Sequence, residues 1–282
     1  MKYLMVSSET GNQITFLGLK DYRTYGKFNL NGFGPTKALR WKNSIIAISK
    51  QRGELSFVNR QIDKFKTYYI GPYLTDFLIV DSKSFLLSGD SNKLIIFDNN
   101  QREIEYMLET ANLPLNIDYM QDEIMVTNYE SKEIEIFSLT SREKKLSIKN
   151  EKHPFKSMFI ENGRYIMSIE GFEQYEQGTI YIYDSKNGNK LENYKTCNAP
   201  VDSYYKDGLC YVCDYFSDSL WEINLTNKES RKIPINNFTP NNIAGFEGKL
   251  LICSEKYNKI IEIHGSEIKS INVPSPRRID LF

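Results

Sequence analysis

Apolar and polar residues alternate with a period of two along nearly the whole chain, in groups of four short runs. Between Leu113 and Ile148, Leu115, Ile117 and Tyr119 alternate with polar residues, a polar turn follows at Gln121-Asp122, and Ile124-Met125-Val126 continues as an apolar run. A loop from Asn128 to Glu133 leads to Ile134-Glu135-Ile136-Phe137, and a Ser/Thr turn leads to Leu146-Ser147-Ile148. A period of two sends successive side chains to opposite faces of an extended chain, so the pattern predicts four strands and three turns in about forty residues.

The same order recurs through the chain. Proline, which lacks the N–H a central strand needs, marks the start of each repeat at Pro35, Pro72, Pro114, Pro154, Pro200, Pro240 and Pro276. The second and third strands reappear as SIIAISKQRGELSFV from Ser44, SFLLSGDSNKLIIFD from Ser84, EIMVTNYESKEIEIF from Glu123, RYIMSIEGFEQYEQGTIYIYD from Arg164, LCYVCDYFSDSLWEI from Leu209 and KLLICSEKYNKIIEI from Lys249. A seventh copy, KYLMVSSETGNQITFL, opens the chain without a first strand, and SPRRIDLF, which contains Pro276, supplies one from the other end. Repeats of this period stack as supersecondary units around a shared core, and pairing the two termini in one unit removes a free sheet edge.

VTNYESKEIEIF and SFLLSGDSNKLIIFD resemble the YVTN-type β-propeller repeat, of the surface-layer and YncE-like proteins. There a Val-Thr-Asn-like strand end, a polar loop and a Val-x-Val-Ile-Asp-like strand follow a Gly-Pro-led inner strand. Gly34-Pro35 and Gly71-Pro72 match that lead; the other five repeats keep only the proline. The expected fold is all-β: a single seven-bladed β-propeller of four-stranded antiparallel blades, closed by the N-terminal strands plus a C-terminal inner strand. One domain spans 1–282, with blades at about 34–70, 71–112, 113–152, 153–198, 199–238, 239–274, and 275–282 joined to 1–33. The resemblance implies an architecture and leaves the activity open, since propellers host many.

Lys plus Arg and Asp plus Glu both number 36, giving zero formal net charge, which removes the global field that draws nucleic acid or an acidic membrane to a protein. The opening MKYLMVSSETGNQ lacks the features of a signal peptide, and no apolar run approaches a membrane helix. A soluble, cytoplasmic monomer is expected. Cys197, Cys210, Cys213 and Cys253 suit a reducing compartment. The Cys210-x-x-Cys213 spacing would suggest metal or redox chemistry on a turn, but on a strand an offset of three sends the two thiols to opposite faces, and structural thiols are expected.

In such a fold the first strands line a central channel and the charge-rich fourth strands, such as Arg142-Glu143-Lys144-Lys145, form a solvated rim. The second position after each proline reads Lys37, Leu74, Asn116, Lys156, Asp202, Asn242 and Arg278, with Arg277 beside the last. These side chains form either a site for an anionic group or a polar, wet channel lining. The fourth repeat is the longest, and its extra residues, Ile169 to Gly178, carry Phe172 and Tyr175 among Glu170, Glu173 and Glu176. An insertion in a regular array maps to a loop, often on the binding face, and acidic residues with aromatic anchors suit a basic peptide or a sugar. The alternative is an insertion whose aromatics fold back on neighbouring blades.

Catalytic sets are sparse. The two histidines, His153 before Pro154 and His264 at the end of a third strand, are expected on opposite faces. Streptogramin lyases, which the repeat distantly resembles, use a pair of histidines with acidic partners on one face, a pair this chain does not supply. A carboxylate-only metal site from Asp202, Glu170 and Asp214 stays open. The reading is a non-catalytic scaffold, needing no cofactor or metal, that binds a protein, peptide or small ligand on the channel-mouth face. Its expected contacts are Lys37, Asn116, Lys156, Asp202, Asn242, Arg277, Arg278, Glu170, Phe172 and Tyr175. The alternative is a metal-assisted small-molecule lyase or hydrolase using His153.

Overall fold

Turn chemistry spaces the strands. Asp207 and Gly208 have φ of 49° and 79°, and Glu247 and Gly248 of 47° and 78°. Positive φ at both central positions marks a type I′-like turn, whose twist matches the strands it joins. Before the fourth strands, Asp98 Oδ1 accepts the N–H groups of Asn100 and Gln101 at 2.8 and 2.9 Å, and Asp184 and Asn224 make the same pair of bonds to their own turns. These Asx turns satisfy the backbone where the ladder stops.

The structure, a computed structural model, describes residues 3–59, 64–171 and 177–281, and every regular element among them is a strand. The first sheet holds β1 (Tyr3–Ser8), β2 (Gln13–Gly18) and β3 (Thr24–Asn29). The second holds β4 (Lys37–Trp41), β5 (Ser44–Ser49), β6 (Glu54–Asn59) and β7 (Lys64–Tyr69), and the third β8 (Leu74–Val80), β9 (Lys83–Ser88), β10 (Lys93–Asp98) and β11 (Glu103–Glu109). The fourth holds β12 (Pro114–Met120), β13 (Glu123–Asn128), β14 (Glu133–Ser138) and β15 (Lys144–Lys149). The fifth holds β16 (Pro154–Ile160), β17 (Tyr165–Glu170), β18 (Thr179–Asp184) and β19 (Lys190–Lys195), and the sixth β20 (Pro200–Lys206), β21 (Leu209–Asp214), β22 (Ser219–Asn224) and β23 (Ser230–Pro234). The seventh holds β24 (Asn242–Phe246), β25 (Lys249–Ser254), β26 (Lys259–His264) and β27 (Glu267–Asn272), while β28 (Arg278–Leu281) pairs with β1 in the first, Val6 facing Ile279 and Ser7 facing Arg278. The seven four-stranded sheets are the blades of an all-β seven-bladed propeller. Among the described residues no helix is long and apolar enough to cross a membrane.

The chain divides into two compact units: Met1–Leu74 with Ser217–Leu220 and Ile233–Phe282, and Thr75–Phe216 with Trp221–Lys232. In each, the two faces of a blade feed two different cores. Ile124 and Val126 of β13 join Phe85, Leu87 and Leu94 of the preceding blade, while Met125 between them joins Phe159, Ile166 and Tyr183 of the following one. In the other unit Leu4 and Val6 of β1 pack with Leu251 and Cys253, and Met5 packs with Ala38, Ile45 and Val58. Second and third strands are thus buried on both faces, each Ile, Leu or Phe contributing about 1.5–3 kcal/mol. The fourth strands are mostly exposed, and β11 alternates exposed and half-buried positions.

Candidate functional site

The inner strands start with a defect that aims one side chain. The registers of β12, β16 and β20 shift just after Pro114, Pro154 and Pro200. The residue after each proline is the extra one of a β-bulge, and pairing resumes at the polar residue that follows, Asn116 with Thr127, Lys156 with Ile169 and Asp202 with Cys213. What these side chains meet is the next blade. Asn116 Oδ1 accepts the Ser157 N–H at 3.0 Å, and its Nδ2 donates back to Asp76 Oδ2 at 3.2 Å. Lys156 Nζ donates to Asp202 Oδ1 and, at 2.8 Å, to the Ser203 carbonyl. Asn242 Oδ1 accepts the Ile279 N–H at 2.8 Å.

One position moves relative to the sequence reading. β8 and β12 are both seven residues long and both run into a two-residue turn, Asp81-Ser82 and Gln121-Asp122. Counting back from the turn puts Leu74, not Pro72, level with Pro114, and Asp76 level with Asn116. Leu74 is accordingly a buried apolar residue rather than a lining one, and Asp76 does the linking work: its Oδ2 accepts the Ile117 N–H at 3.3 Å as well as the Asn116 amide. Asp118 makes a further bond of this kind to Phe159 N at 2.7 Å.

Lys37 is buried at the start of β4, opposite Ile48, and Arg278 is half-buried at the start of β28. Arg277 ties the end of the chain: its N–H donates to the Ser7 carbonyl at 2.8 Å, and its guanidinium meets Glu255 at 3.2 Å and Glu9 at 3.9 Å. Asn116, Lys156, Asp202, Asn242 and Arg277 therefore bond to other parts of the protein.

Two aromatic contacts lie at loops: Tyr129 follows β13 and meets His153 of the segment before β16, and Tyr215 and Phe216 follow β21. The His153 ring stacks on Tyr129, 4.7 Å between centroids, and its Nδ1 bonds the Tyr129 carbonyl at 2.9 Å. A carbonyl accepts only, so Nδ1 carries the proton and Nε2 is the acceptor nitrogen of the neutral ring. Gly171 N–H donates to the His153 carbonyl at 3.0 Å, and Tyr215 N–H to the Ala199 carbonyl at 3.0 Å. Tyr215 and Phe216 meet edge to face at 5.3 Å and are 36% and 52% exposed. Phe172 and Tyr175, with Glu173 and Glu176, lie outside the described residues.

Glu170, at the end of β17, is fully buried: its Oε1 accepts Asn150 Nδ2 at 2.5 Å and Tyr183 OH at 3.1 Å, and its Oε2 the Lys152 N–H at 3.1 Å. Asp214 is buried at the end of β21. Among the described residues no group of three or more His, Cys, Asp or Glu side chains is placed to hold a metal ion, so Asp202, Glu170 and Asp214 do not assemble into one. His264 is exposed at the end of β26, in the other unit from His153. All four cysteines are buried and none is in a disulfide; burial pushes the Cys197 and Cys210 thiols up to about 12, far from the reactive thiolate range.

The fold is shared with solved structures of low sequence similarity. A functionally unknown protein from Desulfotomaculum acetoxidans superposes with a TM-score of 0.77 at 13% identity, covering 99% of this chain and 98% of that one. Kuenenia stuttgartiensis hydrazine synthase gives 0.78 at 12% identity over 87% of this chain and 89% of that chain, and apo AztD from Citrobacter koseri 0.71 at 13% over 100% and 97%. No protein-family model and no curated protein sequence matches the chain. Identities this low carry the architecture and not the chemistry, so the propeller is what these proteins and this chain have in common.

Proposed function

We propose that this chain, read as a YVTN-type propeller, is a non-catalytic scaffold that binds a protein or peptide segment through the loops following its second strands. The contacts are Tyr129, Tyr215 and Phe216 of those loops and His153 of the segment before β16, all in the Thr75–Phe216 unit. The observation that carries this reading is the pair of aromatic contacts in those loops, Tyr129 on His153 and Tyr215 against the strongly exposed Phe216. Exposed aromatic anchors supply contact area at small entropic cost and dominate binding energy at protein interfaces. Asp90 and Glu130 are exposed on the same set of loops, which favours a segment with basic side chains. A location in the cytoplasm fits four cysteines outside any disulfide.

The test is selection of displayed random peptides on the full chain, followed by titration against Tyr215→Ala/Phe216→Ala and His153→Ala variants. Selected peptides rich in Lys and Arg, weakened at least tenfold by the double variant, support the reading. Peptides that bind the variants as tightly as the wild type overturn it. The second reading, a lyase or hydrolase acting through His153, rests on the free-acceptor tautomer at Nε2 and requires His153→Ala to remove turnover by orders of magnitude.

A further inference from the structure

Glu170 is buried among neutral donors. The Asn150 amide, the Tyr183 hydroxyl and the Lys152 backbone N–H all point their hydrogens at the carboxyl group, and Asn150 Nδ2 also donates to Tyr183 OH at 3.2 Å. A carboxylate removed from water is costly unless a charge compensates it, and hydrogen bonds from neutral groups compensate only in part. The second observation concerns Asn150. Its Oδ1 is buried without a hydrogen-bond partner, an acceptor held beside a group that becomes a donor when it gains a proton.

We propose that Glu170 and Asn150 form a proton-operated latch on the segment 150–153. With the proton on Glu170 no charge is buried: the amide turns over, Nδ2 gives up its bonds to Glu170 and Tyr183, the carboxylic acid donates to Asn150 Oδ1 in their place, and the segment is held. Without it, the bonds from Nδ2, Tyr183 and Lys152 N remain but leave a buried charge only partly compensated, and the segment opens more readily to admit water. The proton exchanges with solvent, so no other reactant is needed.

Burial pushes the Glu170 carboxyl up to about 7, against the opposing bonds from Asn150, Lys152 N, Tyr183 and Ser168, which places the change around neutrality. The other ionisable groups packed around it come from three elements. On β18, Tyr183 is raised out of its ordinary range by burial and by Glu170, and Tyr181 is raised to about 12 by burial and its bond to Glu151. In the segment itself, Glu151 is held low by Lys190 of β19 and by Tyr181, and Lys152 Nζ donates to the Gln177 carbonyl at 2.6 Å. The segment also carries His153, whose ring bonds the Tyr129 carbonyl, so it is the Glu170→Gln variant, which leaves that ring in place, that assigns a neutral-range transition to Glu170.

A folded pKa above the unfolded one means that folding takes up a proton: the stabilisation is complete below the ordinary glutamate value and is lost as pH rises through about 7. The experiment uses the full chain, following amide hydrogen exchange at Lys152 and Gly171 and the melting temperature from pH 5 to 8, for wild type and Glu170→Gln. After correction for intrinsic base catalysis, wild-type protection at these amides should fall at least tenfold across the range. It should stay level in the variant, whose amide stands in for the neutral acid. Parallel curves for the two proteins overturn the latch. Should Glu170→Gln fail to fold, a carbon-13 titration of the glutamate carboxyls in wild type decides: one carboxyl titrating near 7 with shift changes at Lys152 and Gly171 supports it, and all titrating near 4.5 refute it.

Discussion

Lys156 on β16 reaches across to β20, where its ammonium is shared between the Asp202 carboxylate and the Ser203 carbonyl. The pair is mostly withdrawn from water, with side chains 21% and 9% exposed, so each charge depends on the other. Lys156→Met should destabilise the fold by about 2–3 kcal/mol, mainly by leaving Asp202 buried without its cation. Asp202→Asn should restore part of the loss when combined with it. Denaturant unfolding of the double-mutant cycle checks this, and additive losses would show the two side chains to be uncoupled.

The corrected register of β8 makes a second prediction. Asp76 accepts the Ile117 N–H and the Asn116 amide on the neighbouring strand, bonds that the sequence reading assigned to no residue. Asp76→Ala should cost about 2 kcal/mol through the buried N–H left unpaired. Chemical unfolding of this variant beside Asn116→Ala, which orphans Ser157 N–H, should give losses of similar size.

A third concerns β28. Ile279 is 3% exposed in the core of Leu4, Val6 and Leu251, and Arg277 bonds Ser7, Glu9 and Glu255. Deleting 276–282 removes the strand that pairs with β1 and uncovers that core. Loss of cooperative melting is expected; a truncated chain that melts like the whole one would show that the pairing contributes nothing.

The architecture was legible because it is written seven times: a period-two pattern, a proline and a recurring strand pair suffice to count blades. The failure at Leu74 has a local cause. Pro114 is itself the first residue of β12, whereas Pro72 precedes β8 by two residues, with Tyr73 at a φ of 55° between them and the strand. Proline marks where pairing starts only loosely; the hairpin turn marks it tightly, and counting from the turn recovers Asp76. The bonds that Asn116, Lys156 and Asn242 make to neighbouring strands were not legible, because a period-two pattern says which face a residue takes and nothing about which blade it reaches. Tyr129, Tyr215 and Phe216 were passed over for the opposite reason: aromatic residues in short loops look the same in sequence whether neighbours cover them or not.

The inner-strand bonds also bear on how such a chain tolerates change. Asn116 and Asn242 each accept a hydrogen from a main-chain N–H of the neighbouring strand, Ser157 and Ile279. Any residue except proline offers that hydrogen, so these two joints do not specify the side chain on the far side. One blade can drift in sequence while its neighbour keeps the same grip. Copies that began alike can therefore diverge until only the turn and the bulge betray their common pattern.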